Sequence, residues 1–190
     1  MENRTFALIA SFIAMVFVVM AYFVKKKERY LLFQLLCIVF LVISYFFTAQ
    51  FFAMVGLSVG FCRTLIFFLY EKNGKKAPIE WAFVLATMTI VSYCVVNLWI
   101  LKDAKPLDIL CLMGLVSYAF IFRIRDLKTV RFLMFIPTVF SILFNVLTHA
   151  ALFATLTYVF ELCANVVSIF KYHVFSKNEI EQPSEQEQIN

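Results

Sequence analysis

The chain has 190 residues, of which 63% are hydrophobic and 15% charged, and its formal net charge is +5. A soluble domain carries about 25% charged residues; this composition, with a mean hydropathy of +0.89, excludes a water-soluble globular protein. The positive charge falls in short segments between apolar runs, so it reads as membrane topology and not as a nucleic-acid footprint.

Seven apolar runs predict seven transmembrane helices, at roughly 5–24, 30–48, 51–70, 80–100, 106–122, 130–147 and 150–171. Hydrocarbon leaves no water to satisfy backbone groups, so runs of this length must be helical. The first run lies between MENR and KKKER and reads as a retained span, not a cleaved leader. Only Thr48, Ala49 and Gln50 separate the second run from the third, which makes a tight hairpin. The third contains VGLSVGFCRTLIFFLY, an apolar stretch with Arg63 inside it. Gly56 and Gly60 form a GxxxG pair on this helix, a pattern that permits close helix packing.

The fourth run is bracketed by Trp81 and Trp99, placed as interface anchors, and carries Thr89, Tyr93 and Asn97 on one face. The fifth is short; Asp108 opens it, where a carboxylate suits the helix N-terminus. The sixth contains Pro137, the hinge candidate, which should kink that helix or free a carbonyl. Thr148 and His149 mark a second tight hairpin. In the seventh run Thr157, Glu161, Asn165 and Ser168 share one face. The polar tail, 176–190, is expected to be disordered. The five cysteines are at no metal-ligand spacing and read as small buried residues.

With the N-terminus outside, inner segments hold Lys25, Lys26, Lys27, Arg29, Lys72, Lys75, Lys76, Arg123, Arg125, Lys128, Arg131, Lys171 and Lys177, against Arg4, Lys102 and Lys105 outside. This bias predicts N-terminus out and C-terminus in. The two halves are also alike. A basic lead-in (KKKERYLLFQLL, RDLKTVRFLMF), a near-loopless hairpin and an aromatic-basic ending (FFLYEK, SIFKYH) recur in the same order. They predict an all-α, polytopic membrane protein in a 3+1+3 parallel-repeat arrangement. Its divisions are a first three-helix repeat at 1–72, a linker helix at 73–104, a second repeat at 105–175 and the cytoplasmic tail at 176–190.

Arg63 sits about seven residues from the inner end of its span, roughly 10 Å deep at 1.5 Å per residue. A charge at such depth costs on the order of 3 kcal/mol unless it finds a partner, water or the interface. Three readings follow. Arg63 and Glu161 line a polar cavity with Asn165, Thr157, Asn97 and Gln34 as neutral substrate-path contacts. Alternatively, the two charges form a structural ion pair that locks the third and seventh spans. In the third reading, Arg63 snorkels inward to lipid phosphates. Tyr45, Asn145 and His149 border the hairpins as outer-end candidates for gating, substrate binding or interfacial capping. No HExxH, phosphate loop or nucleophile–base arrangement occurs, so the expectation is no enzyme, catalytic residue, metal or cofactor.

The segment from Arg29 to Tyr70, RYLLFQLLCIVFLVISYFFTAQFFAMVGLSVGFCRTLIFFLY, resembles the YgjV family of bacterial inner-membrane proteins. Its basic lead-in, Gln34, Ser44-Tyr45, hairpin and Arg63-Thr64-Leu65 carry the likeness, with Asn165-Val166-Val167 near the other end. The resemblance spans Lys25 to His173 and implies a bacterial plasma-membrane location. It further implies an architecture similar to the three-helix-bundle transporters, the sugar-carrying SWEET proteins and the PnuC-type vitamin riboside carriers among them. The chain departs from that group in having no proline in span 1. It also lacks the tryptophans that stack on a riboside. The expected function is a facilitator-type transporter of a small polar solute in the lipid bilayer. The alternative is a non-transporting scaffold or partner subunit glued by an Arg63–Glu161 pair.

Overall fold

The computed structural model describes residues 2–48, 51–100, 106–147 and 152–175. The described chain is all-helical: α1 (Glu2–Phe23), α2 (Lys27–Phe47), α3 (Phe51–Lys72), α4 (Ile79–Tyr93), α5 (Asp108–Ile121), α6 (Leu127–Leu133), α7 (Phe135–Leu147) and α8 (Leu152–Ile169). Helices α4 and α8 each run on as a π-helical stretch, at Cys94–Ile100 and Phe170–Phe175. The α6 and α7 segments together cover the sixth apolar run, so the described residues hold seven helices, one for each run. Five stretches are long and apolar enough to cross a bilayer: Thr5–Phe23, Lys27–Phe47, Met54–Lys72, Ile79–Val96 and Leu127–Leu147. Helix α5 is shorter, as its apolar run predicts.

The helices close into a ring in chain order. Each packs on the next from α1 to α5, then α5 on α7, α7 on α8, and α8 back on α1. A further contact between α3 and α5 places α4 at the side of the ring. Small residues allow the tightest seam. Ala7, Ala10, Ser11, Ala14, Val18 and Ala21 are buried along α1, and Ser44 of α2 donates to the Ala7 carbonyl (3.0 Å) while meeting the Ser11 hydroxyl (2.7 Å). Bulk apolar burial cannot drive helices together in lipid, so close backbone approach and such hydrogen bonds carry the packing.

Pro137 has the consequence its position predicts. It offers no N–H to Leu133, one turn back, and the helix is interrupted at Met134 between α6 and α7. Thr138 donates both its hydroxyl (2.7 Å) and its backbone N–H (3.3 Å) to the Met134 carbonyl, just past the break. Gly114 of α5 lies against this segment, where an added Cβ would be 3.4 Å from the Pro137 carbonyl oxygen.

The cysteine expectation needs correction. Cys37 is buried, but Cys62, Cys94 and Cys163 are exposed on the ring's outer face. A thiol is apolar enough to face lipid, so an apolar setting for these residues does not require protein around them.

Candidate functional site

Register along the helices sorts the interior into three levels. On α3, Arg63, Phe67 and Glu71 follow at steps of four, and on α2, Lys27, Tyr30 and Gln34 follow at three and four, so each set shares a face. The first level is a central cavity. Gln34, Arg63, Tyr118 and Glu161 line it, with Ser141, Asn145, Thr157 and Tyr45 farther toward the hairpins. About 70 Å³ of it is open to the centre of a water-sized sphere, and part of it communicates with the surroundings. The third level is a groove at the basic end, lined by Lys25 to Glu28, Glu71, Arg125 to Lys128, Arg131 and Tyr172.

Between them lies a packed layer: Tyr22, Tyr30, Phe67, Phe122 (whose upper side also lines the cavity), Asn165 and Ser168 are all within 2% of full burial. Tyr30 meets Tyr22 edge-on (ring centroids 5.6 Å) and Phe122 likewise (6.3 Å). Such edge-to-face pairs add about 0.5–1.5 kcal/mol each beyond their burial.

Arg63 is 3% exposed. Its guanidinium does not descend to the basic end. In a helix the Cα–Cβ bond tilts toward the N-terminus, so the side chain runs back along α3, away from Lys72. Nη2 comes within 3.3 Å of where a Cβ on Gly60 would sit. The third reading, snorkelling to the inner interface, is not what this side chain does. Nη1 donates to the Leu115 carbonyl of α5, and the guanidinium carbon lies 5.0 Å from the Tyr118 ring centre and 5.6 Å from that of Phe122, within cation–π range. Nε is buried without a partner among the described residues.

Nor do the described residues show the Arg63–Glu161 ion pair of the second reading. Both side chains border the cavity, but Glu161 is held by other groups. Its Oε1 accepts from the Tyr22 hydroxyl (2.9 Å) and, at a long 3.5 Å, from Gln34 Nε2. The carboxylate is drawn toward α1 and α2 while the guanidinium is drawn toward α5. Helical periodicity gives the face a residue occupies, not the side of a shared space on which it lies.

The other candidates divide. Gln34 and Thr157 line the cavity, and the outer-end candidates Tyr45 and Asn145 line the same space. Asn165 does not. Its amide donates to the Arg131 carbonyl (2.7 Å) in the closing layer, because a short side chain stays at its own level. Gly56 packs as predicted: an added Cβ there would meet Leu115 Cδ1 at 3.0 Å. Gly60 instead clears room for the guanidinium. Thr89 and Tyr93 line a narrow seam with Gly56 and Leu115, outside the central cavity. The side chain of Asn97 and all of His149 lie outside the described residues, as does the tail at 176–190.

Sequence reasoning missed Arg131, taken there as a loop charge. It is 3% exposed, and its Nη2 donates to the carbonyls of Tyr22 (3.1 Å) and Val24 (2.6 Å). Ser168 donates to the Tyr22 carbonyl (2.7 Å) and Tyr172 to that of Phe23 (2.8 Å). Three side chains thus cap the end of α1, whose last turn carries no basic residue of its own.

A family model for a bacterial inner membrane protein, YgjV, matches residues 5–175. The chain belongs to that family. Comparison with curated proteins and with solved structures gives no match. Family membership and the apolar helices place this YgjV-family protein in the bacterial inner membrane, crossing it several times.

Proposed function

We propose that this YgjV-family protein is a facilitator-type carrier of a small polar solute, acting without enzymatic chemistry or a cofactor. The observation that carries the reading is a cavity bordered by a buried guanidinium and a buried carboxyl group that are held by different helices and not by each other. Packing glue has no use for that arrangement. An ion pair kept for structure has its partners in contact, since an unpaired buried charge is costly.

In this reading α1–α3 and α5–α8 are two parallel three-helix repeats joined by α4, as in SWEET- and PnuC-type carriers. The basic residues keep the groove end cytoplasmic. The polar cavity then faces the hairpins and the outside, and the aromatic layer of Tyr22, Tyr30 and Phe122 is the inner gate. Movement of one repeat against the other, with the break at Met134–Pro137 as a hinge, would open the layer and close the hairpin end.

The test is uptake by proteoliposomes of a panel of labelled small solutes: sugars, organic anions, organic cations, amino acids and polyols. At least one solute should enter faster than in protein-free vesicles, with the rate falling tenfold or more in Arg63→Ala. A panel that never exceeds the protein-free rate, with the chain folded and correctly inserted, would sink the reading.

A further inference from the structure

We infer that the cavity binds a small zwitterion, with its carboxylate at Arg63 and its ammonium at Glu161. This rests on the carrier reading above and names its substrate class. Both side chains are 3% exposed and border one space. Each has only neutral neighbours. Arg63 has the Leu115 carbonyl and the rings of Tyr118 and Phe122. Glu161 has the Tyr22 hydroxyl and the Gln34 amide. Aromatic faces and a carbonyl leave a guanidinium its full charge, and in a low-dielectric interior that charge acts strongly on whatever enters.

An anion entering the cavity would neutralise Arg63 and leave Glu161 bare; a cation would do the reverse. A neutral polyol would satisfy neither charge. A solute that carries both charges answers both residues and enters without adding net charge to the membrane interior. The guanidinium is flanked by rings, which leaves its edge as the docking direction. A planar fork of N–H donors matches a carboxylate there, and Nε is still without a partner. Both bonds to Glu161 fall on Oε1, so the carboxylate's other oxygen is the natural acceptor for an ammonium. Ile38, Leu41 and Leu57 supply an apolar wall for a short carbon backbone.

The full chain in nanodiscs is titrated by calorimetry with β-alanine, propionate, propylammonium and propionamide, which share a three-carbon frame. Glycine and 4-aminobutyrate bracket the charge spacing. At least one of the three zwitterions should bind tenfold or more tighter than every singly charged or neutral probe. Arg63→Gln should remove the preference over propylammonium, and Glu161→Gln that over propionate. Arg63→Lys and Glu161→Asp should keep part of it. If a Gln variant does not fold, the comparison among probes on the unaltered chain decides alone. Equal binding of propionate, propylammonium or propionamide overturns the inference, as does no binding by any zwitterion. Uptake separates the two readings. Charge-dependent zwitterion binding without transport leaves the site standing and removes the carrier. Transport of a sugar or anion with no zwitterion binding leaves the carrier standing and removes this substrate class.

Discussion

Arg63 and Arg131 are buried to the same degree, at 3% exposure, and do opposite things. Arg131 lies at the basic end, where one nitrogen bridges two terminal carbonyls of α1 and its guanidinium stacks 4.6 Å from the Tyr172 ring centre. Every contact ties one helix to another. Arg63 lies mid-bundle, makes one carbonyl bond and borders open space. Burial alone therefore says nothing about role. What separates the two is where the bound nitrogen goes: Arg131 joins two carbonyls at the end of α1, whereas Arg63 meets one mid-helix carbonyl of α5 and borders the central cavity, and each keeps a buried Nε without a partner among the described residues.

The strongest way to break this comparison is to truncate both residues. Arg131→Ala leaves the end of α1 short of a donor and should destabilise by about 3 kcal/mol, the cost of a lost charged hydrogen bond plus buried, unsatisfied carbonyls. Thermal unfolding in detergent reads this as a large drop in Tm. Arg63→Ala should leave Tm within the range of about 1 kcal/mol, because the desolvation cost of the lone charge goes with it, while uptake falls tenfold or more. Equal losses of stability in the two variants would erase the distinction.

Asp126 sharpens the basic end. It caps α6 through the backbone N–H groups of Lys128 (3.1 Å) and Thr129 (2.9 Å), and Thr129 adds its hydroxyl (2.6 Å). That hydroxyl bond, above all, holds the Asp126 carboxyl below its ordinary value. A lowered folded-state value contributes stability that is present above the unfolded value, about 3.9, and lost as pH falls through the folded one. Asp126→Ala should cost about 1 kcal/mol at neutral pH and flatten the acid limb of a Tm–pH curve; an unchanged limb would assign that limb to other groups.

Gly60→Ala probes the other side. Alanine is the better helix former by about 1 kcal/mol, and the Cβ meets only a side-chain nitrogen at 3.3 Å. Tm should hold or rise slightly while uptake falls several-fold, because the guanidinium must move. Glu71→Gln should have the smallest effect. It removes the Lys27–Glu71 ion pair (2.9 Å, side chains 6% and 24% exposed), worth about 0.5–1 kcal/mol near a surface. If the Tm difference does not shrink in high salt, the bond is not acting through charge.

Much of the architecture is legible in the sequence because hydrocarbon forces apolar runs into helices and leaves charges at their ends. Arg63 and Glu161 stand out for the same reason. Their separation does not. It depends on which neighbour lies nearer, and Tyr22, 139 residues from Glu161, has no local signal to announce it. Pro137 was readable as a break because its effect is covalent and local. Asn165 was misplaced because its depth fits Arg63 while its side chain is too short to reach the cavity. Arg131 was hidden by its position: a cation at a span's end looks like topology whether or not it binds a helix terminus.

The capping of α1 bears on how the protein is made. The first helix leaves the ribosome early, yet its last carbonyls wait for Arg131, Ser168 and Tyr172, which are 107 to 149 residues from their acceptors. The insertion machinery must hold an unfinished first span until almost the entire chain has followed, and the ring shuts only when the last helix arrives. A nascent chain arrested before Ser168 should be degraded quickly in pulse–chase labelling, and one arrested beyond Tyr172 should persist.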